Sequence, residues 1–309
     1  MGVLNVTPDS FSDGGRFQDP GRAVERAVEM LDQGAVVIDV GGESTRPGAA
    51  PVAVEEELGR VVPVIEALMP AVSDRGARVS IDTRNALTAG AAVAAGATLI
   101  NDVSASLWRT AAELGVGWVA MHMMGDPRTM QANPVYDDVV DDVRAFLVER
   151  AGRAVAAGVQ EVWVDPGIGF GKRTSHNLEL LAHLDVLVDE GFPVLVGTSR
   201  KRFTGELLAL SDLHAKPADG RVPAEAAAAS PVQVSERIDG SLATATWAMQ
   251  LGAAMIRAHD VLATVNAAAI VGGEFPPRAP SRDPGPVDVG TGGVGHPLRS
   301  SAGVARSGR

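Results

Sequence analysis

The feature that most constrains the fold is a pattern repeated along the chain: a short apolar run, a polar or glycine-rich loop, and an alanine-rich amphipathic segment. Short runs rich in Val and Ile indicate buried strands, and the amphipathic segments indicate helices. The pattern predicts eight strands, at residues 2–6, 36–40, 78–81, 98–100, 117–121, 161–164, 194–196 and 253–256. Among the intervening helices it predicts residues 21–32, 54–71, 84–95, 136–157 and 175–189.

Eight strand–helix units predict an α/β fold, an eight-stranded parallel (β/α)8 TIM barrel. The alternative, a doubly wound sheet, would carry a G-x-G-x-x-G turn after the first strand, and none is present there. We expect the barrel domain to span residues 1–271. Residues 210–235, dominated by Ala, Pro and small polar side chains, are expected to be a flexible insertion, and the Pro/Gly-rich residues 272–309 a disordered tail.

Composition excludes several classes of function. The chain has no Cys, so disulfides, thiolate metal sites and a Cys nucleophile are excluded. It has neither a signal-like segment nor an apolar run of membrane-spanning length, which predicts a cytoplasmic protein with no membrane partner. The net charge of −11 argues against nucleic-acid binding but allows a small anionic substrate held by local cations.

Polar residues follow nearly every predicted strand. One such Asp is usually a turn former or a helix N-cap. In a parallel barrel, however, these loops all meet at one mouth, where barrel enzymes carry their chemistry. The convergence therefore predicts a site.

The residue types indicate what this site binds. Asp82, Asn101 and Asp165 suit a flat heterocycle rich in N–H and C=O groups, with a carboxylate pairing with a guanidine-like edge. The oxygens of Asn5 and Asp9 suit Mg²⁺, which takes few protein ligands and adds phosphate oxygens. Cationic or donor groups suited to phosphate come from Arg46, Lys201, Arg257 and His259. The predicted ligand is a polar ring joined to a phosphate or pyrophosphate.

Simpler interpretations remain open for individual residues. Asp82 could be the N-cap of the next helix, and Arg200 with Lys201 could form a solvated basic turn. The segment DPGIGFGK lacks the spacing of a phosphate-binding P-loop, and is weak support for nucleotide binding. His122 is more simply interpreted as a buried, hydrogen-bonded histidine than as a ligand.

Taken in order, the motifs resemble the dihydropteroate synthases of folate biosynthesis. The matching stretches are MGVLNVTPDSFSDGG, IDVGGESTRPGA, SIDT, INDVSA, MHMMGDPRTMQ, DPGIGFGK, LVGTSRKRF and IRAHDV. The resemblance implies a barrel enzyme, usually a homodimer, that joins 6-hydroxymethyl-7,8-dihydropterin pyrophosphate to p-aminobenzoate and is inhibited by sulfonamides.

The resemblance also implies a role for each matching residue. Two loops would close over the substrates, with Phe11 packed against the p-aminobenzoate ring and Arg200 and Lys201 lining that side. Mg²⁺ would bind at Asn5 beside the pyrophosphate. The pterin ring would be held by Asp82, Asn101, Asp165 and Lys201, the pyrophosphate by Asn5, Arg257 and His259, and the closing loops would include Pro8, Asp9, Phe11, Thr45 and Arg46. The catalytic set would be Asp82, Asp165, Lys201, Arg257 and His259.

Three other functions stay open. A methyltetrahydrofolate-using methyltransferase shares the barrel but would not be expected to carry both TPDSFSDGG and SRKRF. A paralogue that binds pterin without turnover would be expected to lose site residues, and these are present. A sulfonamide-insensitive synthase would differ in the first loop or the SRK region, which look ordinary here, so we expect sensitivity.

Overall fold

A computed structural model describes residues 1–7, 20–44, 51–126, 129–215 and 230–272. All eight predicted strands are confirmed, with bounds within about two residues of those predicted. The strands are β1 (Gly2–Asn5), β2 (Val37–Gly41), β3 (Arg78–Asp82), β4 (Leu99–Asp102), β5 (Gly117–Met121), β6 (Val162–Asp165), β7 (Leu195–Val196) and β8 (Met255–Ile256). The helices are α1 (Pro20–Asp32), α2 (Val54–Asp74), α3 (Ala86–Ala94), α4 (Trp108–Leu114), α5 (Val139–Ala156), α6 (Thr174–Ala182), α7 (Leu184–Val188), α8 (Arg202–Ala215), α9 (Ile238–Gln250) and α10 (Val261–Gly272).

The strands form a parallel barrel. β1 to β6 pair in sequence order as one sheet, and β7 pairs with β8. Parallel bridges join Val164 to Val194 and Gly2 to Ala258, so that the β7–β8 pair connects the two edges of the sheet. Backbone hydrogen bonds strengthen the second junction, with Val3 N donating to Ala258 O at 3.0 Å and Ala258 N to Met1 O at 2.9 Å.

Alternation along the strands separates two apolar cores. Because successive side chains point to opposite faces, one set faces the helices and the other faces the barrel interior. The core between barrel and helices includes Leu4, Ile38, Ile81, Ile100, Trp118, Val164 and Val196. A smaller core inside the barrel contains Leu99, Val119, Trp163 and Leu195. Most of the remaining inward positions near the strand ends are polar, among them Asn5, Asp82, Asn101 and Asp165.

Several helices differ from the predicted bounds, among them α2, which continues past residue 71 to Asp74. The helix predicted at 136–157 begins only at Val139, because the side chain of Asp138 accepts hydrogen bonds from the N–H groups of Val140 and Asp141 and caps it. The helix predicted at 175–189 is two helices, α6 and α7, which meet at His183.

The predicted insertion is partly helical. α8 continues to Ala215, so residues 210–215 belong to a helix, and a short 3₁₀ turn at Val234–Glu236 leads into α9. Residues 216–229, like the predicted tail from 273 onward, lie outside the described residues. No helix within the described ranges is both long and apolar enough to cross a membrane.

Candidate functional site

The carboxyl ends of the first four strands lie at one level of the barrel. Asn5 pairs in register with Gly41, Gly41 with Asp82, and Asp82 with Asn101. The polar members of this row lie on the interior side of the alternation described above. Asp82 and Asn101 are both buried.

Arg257, which follows β8, connects this row to a deeper carboxylate. Its Nε donates to Oδ2 of Asp39 and its Nη2 to Oδ2 of Asp82, each at 2.7 Å. Asn101 Nδ2 donates to the same oxygen of Asp39 at 2.9 Å. One hydrogen-bonded cluster therefore joins β2, β3, β4 and the residue after β8.

Burial sets the charge state of this cluster. It raises the pKa of Asp82 to about 7, an effect that Arg257 opposes and Asp39 reinforces. Burial by itself would lower the pKa of Arg257, but the carboxylates of Asp39 and Asp82 outweigh it and raise that pKa. The cluster thus holds a permanent cation beside a carboxyl group that titrates close to neutral pH.

Lys201 and Asp165 form the other side of the mouth. Lys201 Nζ donates to the carbonyl oxygen of Ile168 and lies 4.7 Å from the ring centroid of Phe170. Burial lowers the pKa of Lys201 to about 8 despite the opposing charge of Asp165. Asp165 accepts from Gly167 N at 2.7 Å, and burial raises its pKa against the effect of Lys201.

The loops after β7 and β8 contact each other. Both the backbone N and Nδ1 of His259 lie 3.1 Å from Oγ of Ser199. Arg200, at a positive φ of 59°, donates through Nε to Asp260 at 3.0 Å and forms an ion pair with it. The structure therefore places Arg200 against Asp260, next to His259.

One residue of the described barrel mouth, Asn5, could supply an oxygen ligand to a divalent metal. Asn5 ends β1 and is only partly buried, and its amide oxygen is the kind of hard ligand that Mg²⁺ takes. Among the described residues no group of three His, Asp or Glu side chains could hold a metal ion. Mg²⁺ suits such a sparse site because it usually takes one or two protein ligands and completes its shell with substrate phosphates and water.

The simpler interpretation of Asp82 as the N-cap of the next helix is wrong. Asn85, not Asp82, caps α3, with its side chain accepting from Leu87 N at 3.2 Å. Asp102, one position beyond Asn101, points away from the interior. Its carboxylate accepts from the backbone of Leu107 at 2.6 Å and from Trp118 Nε1 at 3.2 Å, which is a structural role at the start of α4.

The segment DPGIGFGK forms an ordered loop after β6, and its lysine, Lys172, points inward. Lys172 is buried, and its Nζ lies 2.9 Å from Nδ1 of His122 and 3.1 Å from the carbonyl oxygens of Gly167 and Phe170. Burial, followed by the charge of Lys172, lowers the pKa of His122 to about 3. The interpretation of His122 as a buried, hydrogen-bonded histidine is confirmed.

Five predicted site residues, Pro8, Asp9, Phe11, Thr45 and Arg46, lie outside the described residues. Sequence reasoning missed two buried polar residues beside the site, Asp39 and Lys172. Alternation in VIDVG would have placed Asp39 on the same face as Gly41. No sequence signal indicates that Lys172 is buried.

Comparison with known proteins identifies the family. A family model described as "Pterin binding enzyme" matches residues 1–259. The dihydropteroate synthase of Mycobacterium leprae (strain TN) is 45% identical over 281 residues, which cover 88% of this chain and 92% of that protein.

Solved structures agree with this match. The Yersinia pestis dihydropteroate synthase in complex with a sulfonamide drug is 43% identical, covering 88% of this chain and 92% of that one, with a TM-score of 0.76. The Xanthomonas albilineans dihydropteroate synthase with 4-aminobenzoic acid is 44% identical, covering 88% and 91%, with a TM-score of 0.74. The chain belongs to the dihydropteroate synthase family of pterin-binding enzymes.

Proposed function

We infer that the chain is a dihydropteroate synthase, which joins 6-hydroxymethyl-7,8-dihydropterin pyrophosphate to p-aminobenzoate and releases pyrophosphate. The observation that carries this inference is the buried polar cluster at one end of the barrel. It offers acceptors, donors and a fixed cation at one end of the barrel, from the buried residues Asp82, Asn101 and Asp165 and the partly buried Lys201 and Arg257. A flat polar ring carrying an anionic leaving group matches that set.

The pterin ring is proposed to bind to the deeper part of the cluster. The carboxylate of Asp82 would accept hydrogen bonds from the guanidine-like edge of the ring, with Asn101 and Asp165 supplying further polar contacts. As the bond between the methylene carbon and the pyrophosphate oxygen loosens, positive charge develops on the pterin. Buried carboxylates beside it favour that charge, because the enclosed site screens them little.

The pyrophosphate is proposed to lie toward Arg257 and His259, both of which follow β8. Arg257 remains protonated throughout, since Asp39 and Asp82 raise its pKa. It can therefore stabilise the negative charge of the leaving group without losing a proton. The aniline nitrogen of p-aminobenzoate then attacks the methylene carbon, and no covalent enzyme intermediate is required.

Mg²⁺ is the proposed metal, held on the protein side by Asn5, with Asp9 as a further oxygen ligand. When bound, it neutralises charge on the pyrophosphate and favours its departure. The finer proposals that rest on the family resemblance are closure of the two loops, with Phe11 against the p-aminobenzoate ring, a homodimeric assembly and a cytoplasmic location.

Pyrophosphate release is the direct test. Release should require p-aminobenzoate and Mg²⁺ together, and the product should be 7,8-dihydropteroate by mass spectrometry. A methyltetrahydrofolate-using methyltransferase would give no p-aminobenzoate-dependent release. A paralogue without turnover would bind pterin pyrophosphate in calorimetry and release nothing.

Sulfonamide sensitivity is a second, separate test. The Yersinia pestis relative has a sulfonamide complex, and a sulfonamide resembles p-aminobenzoate in size and shape. We expect sulfamethoxazole to inhibit competitively with p-aminobenzoate. An inhibition curve that stays flat into the millimolar range would identify an insensitive synthase while leaving the reaction itself intact.

A further inference from the structure

Asp39 is a fully buried carboxylate without an assigned role. It lies on β2, two residues before Gly41, and is 0% exposed. Its Oδ2 accepts from both Asn101 Nδ2 and Arg257 Nε. Within the described part of the chain, its other oxygen, Oδ1, has no hydrogen-bond partner, nor does Oγ of Ser80, its neighbour in register on β3.

An ionised group in a barrel interior is costly unless its partners compensate for lost hydration. Asp39 receives that compensation from two side chains that belong to different parts of the candidate site. Asn101 lies level with Asp82 in the part proposed for the pterin ring, and Arg257 belongs to the part proposed for the pyrophosphate. The carboxylate therefore constrains both parts together.

We propose that Asp39 is a positioning residue that couples the pterin and pyrophosphate subsites by holding Asn101 and Arg257 in fixed orientations. Arg257 has five N–H donors in a planar fork, so fixing Nε fixes the direction in which the remaining donors point. The inference rests on the proposed function, because it assigns Asn101 and Arg257 to the two halves of one substrate.

A comparison within the same barrel supports a role beyond folding. Asp102 is also 0% exposed, but its partners are its own loop, the start of α4 and the indole of Trp118 on β5, none of which is a predicted site residue. It accepts from the backbone N–H groups of Ser106 and Leu107 at 2.7 and 2.6 Å. Asp39 instead accepts from two side chains of the predicted site, one of them separated from it by 218 positions along the chain.

Removing the charge of Asp39 changes the surroundings of Asp82 in a defined direction. The charged groups that act on Asp82 include Arg257 after β8, Asp39 on β2, Glu57 on α2, Glu43 after β2 and Lys201 after β7. Among these, Arg257 lowers the pKa of Asp82 and the three acidic groups raise it. Loss of the Asp39 charge therefore lowers that pKa.

Asp39→Asn is the test, with Asp102→Asn as the matched control. The amide keeps the volume and one carbonyl oxygen for the two donors but removes the charge. We expect the KM for pterin pyrophosphate and the Kd for inorganic pyrophosphate with Mg²⁺ both to rise by about tenfold or more, because a neutral acceptor holds Asn101 and Arg257 more weakly than a charged one. The KM for p-aminobenzoate should stay within about twofold, since no contact to its proposed subsite is altered. The acid limb of kcat/KM should move to lower pH.

The control, Asp102→Asn, should have a lower thermal stability than the wild type. The acid limb of its kcat/KM profile and the ratio of its KM values for pterin pyrophosphate and p-aminobenzoate should be unchanged. If Asp39→Asn behaves in the same way as Asp102→Asn, the coupling role is overturned. If Asp39→Asn does not fold, Asn101→Ala serves instead. It removes one of the two donors to Asp39 and should also weaken pyrophosphate binding, whereas unchanged pyrophosphate binding would overturn the coupling.

Failure of the proposed function has a different signature. In that case the wild-type protein releases no pyrophosphate in response to p-aminobenzoate. The positioning role fails where wild-type turnover is present and either the two Asp variants are indistinguishable or, in the alternative test, Asn101→Ala leaves pyrophosphate binding unchanged.

Discussion

Nη2 of Arg257 lies 2.7 Å from Oδ2 of Asp82, although 175 positions separate the two residues in the chain. The contact links the residue after the last strand to the third strand through their side chains. It also settles a question that the sequence leaves open, because a carboxylate paired with a partly buried guanidinium is not free to cap the helix that follows. Asn85 performs that function for α3.

Asp82→Asn should therefore abolish most of the activity with little effect on the fold. Loss of a buried carboxylate that acts on charge developing in the transition state is expected to lower kcat/KM by roughly a hundredfold or more. Steady-state pyrophosphate release measures this. The matched control is Asn85→Ala, which should cost about 1 kcal/mol in urea unfolding because a cap is lost. It should leave kcat/KM unchanged, and equal losses of activity in both variants would contradict the assignment.

The activity should fall on the acid side of neutrality. Burial raises the pKa of Asp82 to about 7, so that the carboxylate is present above pH 7 and is lost as the pH falls below it. If the carboxylate is the form that pairs with the pterin, log kcat/KM should decrease with a slope of about one below this pH. A profile that stays flat down to pH 5 would show that ionised Asp82 is not required.

The alkaline side should depend on Lys201. Burial lowers its pKa to about 8, so its charge is lost as the pH rises through 8, and activity that needs the ammonium falls with it. Arginine stays protonated over this range but is larger and differently shaped. Lys201→Arg should therefore lose about tenfold in kcat/KM, as for one charged hydrogen bond, while its alkaline limb moves up by at least about one pH unit. An alkaline limb that persists near pH 8 in this variant would belong to another group.

Strand positions and the location of the site could be predicted from the sequence because both depend on local patterns. Val- and Ile-rich runs mark buried strands. Asp82 and Asp165 each stand where such a run stops, at the ends of β3 and β6. Alternation adds direction: on β2, counting in steps of two from Gly41 places Asp39 inside the barrel, and on β4 the position next to the inward-facing Asn101 places Asp102 outside it. The charges of Asp82 and Lys201 could not be predicted, because they depend on burial.

Contacts between side chains far apart in the chain could not be predicted from the sequence. Nothing near Asp39 indicates that its partner is Arg257, and nothing in GFGK indicates that Lys172 turns inward to His122. The break between α6 and α7 at His183 has no Gly or Pro to mark it. These features arise only when separate elements pack together, so local propensity carries no record of them.

The loop after β6 packs closely against the backbone of His122, and a substitution at Gly167 tests how much that close packing contributes to stability. Gly167 has a φ of +63°, and a Cβ at this position would lie 1.8 Å from the carbonyl oxygen of His122. That oxygen also accepts a hydrogen bond from Lys172 at 3.3 Å. Gly115 has a similar φ of +67°, but a Cβ added there would have no neighbouring atom within 4 Å. It is therefore a control position, at which a substitution introduces backbone strain without a clash.

Gly115→Ala should thus cost only about 1 kcal/mol in the free energy of unfolding, the cost of a left-handed backbone. Gly167→Ala should cost about 3 kcal/mol or more, because the loop must also move away from His122. That movement carries the Gly167 N–H away from Asp165, so kcat/KM should fall in this variant alone. Urea unfolding and pyrophosphate release measure the two effects. Equal losses of stability would mean that the loop can shift freely, and would remove the close approach as the reason for glycine at this position.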